Sequence, residues 1–412
     1  MTSLEIIEKK VFETFCNTVS YKSFMQSVEM ADLLKKRGYQ VTYLGLKDEE
    51  ALQVAAVLFS LPMTGGLHME INSGPVSRDK HYLKQFYQGL QSYAKENGAL
   101  ELLVKPYNTY QHFDSTGQPT DQENTTLLDD FLSLGYQHDG LLTGYPGGEP
   151  DWHYVKDLTD LDEKTLLKSF SKKGRPLVKK AKTFGITLRK LNRDELPLFK
   201  EITSATSDRR DYDDKSLDYY QDFYDSFGDS CEFMVASLNF QDYLAHLETD
   251  KAKLDQQIEK LRTAIENNNV SEKKQNQLRE LSSQSATFDT RMAEAKEFIG
   301  KYGSQNVVLA GSLFVYTKQE AVYLFSGSYP EFNKFYAPAL LQEYVMLEAI
   351  KRGITTYNLL GITGEFDGSD GVLRFKQNYN GYITRKMGTF RYYPHPLKYK
   401  LIYNLKKILR RH

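Results

Sequence analysis

Cysteine is scarce: Cys16 and Cys231 are the only two among 412 residues. Neither has a Cys or His at ligand spacing, which excludes a disulfide scaffold and a Cys-rich zinc site and leaves two small buried hydrophobes. No run of about 18 apolar residues occurs. The N-terminal MTSLEIIEKKVFETF carries Glu and Lys where a signal peptide needs an unbroken apolar stretch, so a cytosolic chain is expected. Charge of one sign is lacking too. Lys plus Arg number 53 against 54 Asp plus Glu, a net charge of -1, so attraction to nucleic acid or lipid has to come from local patches. The eight histidines have no metal-ligand spacing, and there is no Walker loop, dinucleotide fingerprint, HExxH or nucleophile elbow. Chemistry must rest on positioning and charge, and the sequence calls for no metal and no cofactor.

What is present begins with a folded composition. At 40% hydrophobic and 26% charged, the chain suits two or three domains of roughly 150 residues each. Between about Phe240 and Gly300, Leu247, Leu254, Ile258, Leu261 and Ile265 recur at four- and three-residue steps, with Lys251 at one seam position. Leu278, Leu281, Ser285, Phe288, Met292, Ala295 and Ile299 repeat the pattern beyond a polar NNNVSE turn, which predicts an antiparallel helical hairpin over 241–300, with arms of about three heptads. Around this insertion runs a weak internal repeat. SFMQSVEMADLLKKRGYQVTYLGL parallels TLLKSFSKKGRPLVKKAKTFGITLRKL, and INSGPVSRDKHYLKQFYQGLQSYAKENGALELLVKP parallels YLFSGSYPEFNKFYAPALLQEYVMLEAIKRGITTYNLLG: strand, Ser-Gly, helix, Gly, strand. Two copies of a mixed α/β unit are expected, divided near Tyr145-Pro146-Gly147-Gly148.

Three basic constellations stand out: Lys35-Lys36-Arg37; Lys172, Lys173, Arg175, Lys179, Lys180 and Lys182; and Arg374-Phe375-Lys376 after the acidic turn GITGEFDGSDG. The second has a density suited to phosphate binding. The C-terminal PHPLKYKLIYNLKKILRRH sets Lys398, Lys400, Lys406, Lys407, Arg410 and Arg411 beside Leu401, Ile402, Leu405, Ile408 and Leu409. This predicts a basic amphipathic helix, suited to anionic lipid or RNA phosphates on one face.

The stretch 323–390, from YLFSGSYPEF through LRFKQNYNGYITRKMGTF, resembles the C-terminal signature of the Fem family of non-ribosomal peptidyltransferases. SFSKKGRPLVKKAKTFGI and RRDYDDKSLDYYQDFY fit family patterns as well, and the resemblance spans nearly the whole chain. It implies an α/β (α+β) fold of two tandem GNAT-like domains with an inserted antiparallel coiled-coil hairpin: 1–150 completed by about 382–412, then 151–381. It implies transfer of Ala, Ser or Gly from aminoacyl-tRNA to the stem-peptide lysine or growing cross-bridge of a peptidoglycan precursor. Members with the hairpin generally use lipid II, which implies a cytoplasmic protein with peripheral membrane contact through its C-terminal helix.

Carried over by residue, Phe375-Lys376 matches the family's pair beside the aminoacyl ester, where a fixed ammonium stabilises an oxyanion. Lys215 and Tyr219 resemble an Arg-x-x-x-Tyr pattern that holds precursor phosphates, with Lys in place of Arg. Lys35 or Lys36 stands beside a family phosphate-binding lysine, and Lys172, Lys173, Arg175, Lys179 and Lys180 are the tRNA-binding candidates. Lys105-Pro106 replaces an Asp-Pro, removing one candidate base. Asp367 and Asp370 are the nearest alternative bases. An acyl-CoA-dependent acyltransferase and a non-catalytic tRNA-binding adaptor are the competing readings.

Overall fold

A computed structural model describes residues 2–210, 212–267 and 271–408. Asp211, residues 268–270 of the predicted NNNVSE turn, and Leu409, Arg410, Arg411 and His412 of the predicted C-terminal helix lie outside the described residues. The architecture is mixed α/β, built on two sheets. In the first, Thr2–Ile6, Gln40–Asp48, Ala51–Met63, Gly66–Asn72, Ala99–Lys105, Phe390–Tyr392 and Gln137–His138 lie side by side, and Val76–Ser77 pairs with the third of these. In the second the order is Thr187–Lys190, Cys231–Asn239, Asn306–Tyr316, Ala321–Ser328, Thr356–Ile362, Trp152–Asp157, Tyr382–Lys386 and Thr109–Phe113.

The repeat read from the sequence is visible in both sheets. Gly66–Asn72 is followed by helix Leu83–Glu96 and a parallel strand, Ala99–Lys105; Ala321–Ser328 is followed by helix Ala337–Lys351 and a parallel strand, Thr356–Ile362. A crossing helix is what makes each pair parallel. Leu83, Phe86, Tyr87, Leu90 and Ala94 form the buried stripe that lays the first of these helices on its sheet. In the second copy only Ala321–Tyr357 and Val322–Asn358 remain in register. Beyond them the two strands are no longer paired, which opens the sheet beside Gly361.

The strands depart from the expected boundaries in two places. Thr109–Phe113, inside 1–150, pairs with Tyr382–Lys386 in the second sheet. The segment 382–412, expected to complete the first unit, divides: Tyr382–Lys386 pairs with Trp152–Asp157, and only Phe390–Tyr392 joins the first sheet. Burial explains the split. Ile383 is fully enclosed in the second core, whereas Phe390 stacks on Phe131 of the first with ring centroids 4.0 Å apart.

Helices Phe240–Glu266 and Glu272–Tyr302, of 27 and 31 residues, form the hairpin, each arm longer than the three heptads expected. Contacts Lys251–Asp289 and Asp255–Ser285 fix their antiparallel register. Leu247, Leu254, Ile258 and Ala295 are buried in the seam, and Phe240 stacks on Phe298 at the base, 4.5 Å between centroids. Helix Pro396–Ile408 rests Ile402 in the space a Gly65 side chain would take. Its Leu397, Leu401, Leu405 and Ile408 are exposed. Among the described residues no helix is long and apolar enough to cross a membrane.

Candidate active site

Lys376 ends the short helix Gly371–Lys376 and is 3% exposed. Its Nζ donates to the Gly361 carbonyl at 2.5 Å, on the strand end that has left its parallel neighbour. Burial pushes the ammonium down to about 7; Asp370 opposes that shift and Arg210 adds to it. Asp370 caps the helix. One carboxylate oxygen accepts from the Val372 and Leu373 amides, the other from the Thr363 amide and hydroxyl. Though burial works against it, these bonds hold the Asp370 carboxyl below the usual range. Asp367 accepts from the Ser369 amide. Both acidic candidates thus serve the turn that presents Lys376. Gly361 has no room for a side chain: a Cβ would sit 2.6 Å from Pro150 Cγ and 2.9 Å from Tyr145 Cε1. The segment after the Pro146–Gly148 turn therefore presses directly on the strand that holds Lys376.

A second cluster forms where helices Val28–Lys36 and Leu217–Phe227 pack together. Ser216 caps the latter by accepting from the Tyr219 amide, which fixes Tyr219 in the first turn. Lys215 Nζ lies 5.4 Å from the Tyr219 ring centroid, and the Arg37 guanidinium carbon 6.0 Å from it. Arg37 also meets Asp222 at 3.3 Å. Of the two lysines predicted here, Lys35 points over Tyr43, and Lys36 lies 3.9 Å from Asp225. Arg37, the third of that constellation and not singled out, is the one that reaches Tyr219. Burial pushes the Tyr219 hydroxyl up to about 12, with Arg37 pulling it down and the Glu149 charge pushing it up.

The basic segment divides by role. Lys172 and Lys173 precede helix Gly174–Lys182 and are exposed, as are Lys179 and Lys180. Lys180 Nζ lies 5.3 Å from the Tyr336 ring centroid. Arg175 Nε donates to the Phe170 carbonyl, and Lys182 is bound to Glu343 at 2.8 Å. Between this helix and the turn carrying Phe375 runs a groove of about 160 Å³, lined by Gly174, Leu177, Tyr336, Phe375 and Tyr379. Phe375, next to Lys376 in the chain, meets Tyr379 edge to face at 5.4 Å. A larger hollow of about 540 Å³ beside Thr109–Phe113 is lined by none of the predicted site residues.

Strand alternation adds a charged row on the face of the first sheet opposite its apolar core. His68, Glu70 and Asn72 share one side of their strand, Glu101 and Lys105 the same side of the next. His68 contacts Glu101 at 2.8 Å and Glu70 at 3.2 Å, and Lys105 Nζ contacts Glu70 at 3.0 Å. Burial disfavours the His68 cation, but its bonds to Glu101 and Glu70 win and raise it to about 9. The bound proton stabilises the fold fully below the unfolded value of 6.5, and that stability is lost as pH rises to about 9. His68→Gln is accordingly expected to cost about 1–3 kcal/mol at pH 6 and little above pH 9.5, read from thermal melts across that range.

With the fold and these clusters in view, comparison with known proteins is direct. The model of the FemAB family matches residues 7–407. The aminoacyltransferase FemA of Staphylococcus epidermidis is 27% identical over 390 residues, covering 92% of this chain and 93% of its own. The FemA of Staphylococcus aureus matches with the same identity and coverage. The crystal structure of FemX superposes with a TM-score of 0.76 at 22% identity, covering 97% of this chain and 99% of that one, a likeness of fold. Matched almost from end to end, the chain belongs to the FemAB family and is an enzyme, an aminoacyltransferase.

Proposed function

We propose that this enzyme transfers one amino acid, Ala, Ser or Gly, from aminoacyl-tRNA to the stem-peptide lysine or growing cross-bridge of a peptidoglycan precursor. The observation that carries the reading is the Lys376 ammonium, buried yet anchored to Gly361 at an opening in the second sheet. The acceptor amine attacks the ester carbonyl carbon, and a tetrahedral oxyanion forms. The carbon–oxygen ester bond then breaks, and the departing ribose oxygen takes up the amine's proton. With one hydrogen on Gly361, Lys376 retains others to donate to the oxyanion. Among the described residues, the carboxylate that acts on the Lys376 charge, Asp370, is spent on four hydrogen bonds and is not free to act as base. Alignment of amine and ester supplies up to about 7–11 kcal/mol of the barrier.

Donor and acceptor approach from opposite sides in this reading. The groove at Phe375, Tyr379 and Tyr336, flanked by Lys172, Lys173, Arg175, Lys179 and Lys180, suits the stacked base and phosphates of the tRNA end. Arg37, Lys215 and Tyr219 suit the precursor's phosphates, while Lys35 and Lys36 face Tyr43 and Asp225 instead. Lipid II is the acceptor that agrees with a helix presenting Leu397, Leu401, Leu405 and Ile408 beside Lys398, Lys400, Lys406 and Lys407. The protein then works at the cytoplasmic membrane face. Deleting 397–412 should lower co-sedimentation with vesicles containing anionic lipid; unchanged sedimentation would remove the membrane contact from this proposal.

The deciding experiment incubates the protein with lipid II bearing a lysine stem and with alanyl-, seryl- or glycyl-tRNA, followed by mass spectrometry. An RNase-sensitive gain of one residue mass is expected, on the bare precursor or on one already carrying a bridge residue. Inertness with every donor, together with acetyl-CoA-dependent acylation of an amine, would replace this reading by the acyl-CoA one.

A further inference from the structure

We propose that Glu149, held between Asn72 and Lys105 where the first sheet meets the Lys376 strand, is the counter-ion that receives and orients the acceptor's ammonium. This rests on the transfer reading above and names the residue that selects its nucleophile.

The position is built. Glu149 Oε1 accepts from Asn72 Nδ2 at 2.8 Å, and Oε2 from Lys105 Nζ at 3.0 Å. Asn72 and Lys105 end adjacent parallel strands, and Lys105 is itself braced by Glu70 at 3.0 Å, which is braced in turn by His68. The row His68–Glu70–Lys105 thus terminates in a carboxylate whose direction the sheet sets. That carboxylate remains 46% exposed, and with one bond at each oxygen it has acceptor capacity left for an incoming donor.

Its surroundings say what the donor is. Pro150, the next residue, packs against Gly361, whose carbonyl holds Lys376. On the other side the Glu149 charge is felt at the Tyr219 hydroxyl, between Arg37 and Lys215. An acceptor whose phosphates rest on Arg37 and Lys215 and whose amine reaches Lys376 passes Glu149 on the way. The amine arrives from water as an ammonium, and Arg37, Lys215, Arg210 and Lys376 all repel it. A half-exposed carboxylate relieves that repulsion. Lys105 shares the carboxylate's charge, so the ammonium is oriented without being trapped in its unreactive form: beside this half-exposed carboxylate it gives one proton to solvent and attacks as the neutral amine.

Two precursors test this: one with lysine in the stem peptide, and one with norleucine in its place, which lacks only the ammonium. Calorimetric affinities and steady-state kinetics are measured for the wild type and for Glu149→Gln, which keeps the side chain's shape and an acceptor oxygen. The wild type is expected to favour the lysine precursor by about 10- to 100-fold. Glu149→Gln should abolish that preference by weakening lysine binding alone and raising KM, with norleucine binding unchanged. Glu149→Asp should retain part of it, which covers the case in which the Gln variant folds poorly. A Gln variant that keeps the full preference overturns the proposal. So does equal weakening of both precursors, the result expected of a mere clamp on the 145–151 segment. If the wild type transfers nothing with any charged tRNA, either to the bare lysine precursor or to one already carrying a bridge residue, the failure lies in the transfer reading instead.

Discussion

Lys376→Met is expected to lower kcat by about 10²–10³-fold, the usual loss when an oxyanion donor is removed, and at the same time to raise the melting temperature. The two effects share one cause. Lys376 is enclosed and its ammonium is pushed down to about 7 from an ordinary 10.5, so folding at neutral pH works against the charge. Below pH 7 the cost is full. Between 7 and 10.5 the unfolded chain binds a proton that the folded one has shed, and stability rises with pH until the penalty is gone. Met fills a similar volume with no charge, so the variant's gain should be several degrees at pH 6, at about 2–4 °C per kcal/mol, and should vanish near pH 10.5. Calorimetric scans at the two pH values, set beside turnover at saturating substrates, read both predictions. Loss of stability together with activity would mark Lys376 as a structural residue. In the wild type, the part of the rate that depends on Lys376 should decline as pH rises above about 7, because the group donating to the oxyanion is then deprotonated.

Whatever depends on local periodicity is legible in the sequence itself. The hairpin follows from the three- and four-residue steps of Leu247, Leu254 and Ile258, and the doubled strand–helix–strand unit from two matching stretches around it. Phe375 and Lys376 were reached through the family resemblance, because a lysine before a polar turn carries no periodic signal. The placement of Thr109–Phe113 and Tyr382–Lys386 was not legible. Strands of five residues with mixed faces suit either sheet, and only the enclosure of Ile383 in one core and Phe390 in the other decides. Glu149 was hidden for a related reason. Its partners Asn72 and Lys105 lie far back in the chain, and only the parallel pairing of their strands brings both to one carboxylate. Lys182 shows the converse: helical spacing groups it with the exposed Lys179 and Lys180, but Glu343 from a distant helix has claimed it.

Arg37→Ala is expected to raise KM for a phosphate-bearing acceptor by about 10- to 100-fold with kcat nearly unchanged, since a charge-assisted bond made equally in ground and transition states affects binding alone. Lys35→Ala serves as the internal comparison. Its ammonium lies over Tyr43 instead of Tyr219, so KM should move by less than about threefold, within the effect of a surface charge. Lys215 offers a gain. It meets the Tyr219 ring as a point charge, and Lys215→Arg adds a planar fork able to grip two phosphate oxygens, so KM should fall. Salt then separates electrostatics from packing. Arg37 is 38% exposed at its side chain, and raising ionic strength from 0.05 to about 0.5 M should screen it and increase the wild-type KM. In Arg37→Ala that salt dependence should be shallower. An equal slope in the two proteins would show that Arg37 supports Tyr219 through the Asp222 contact without touching the phosphates.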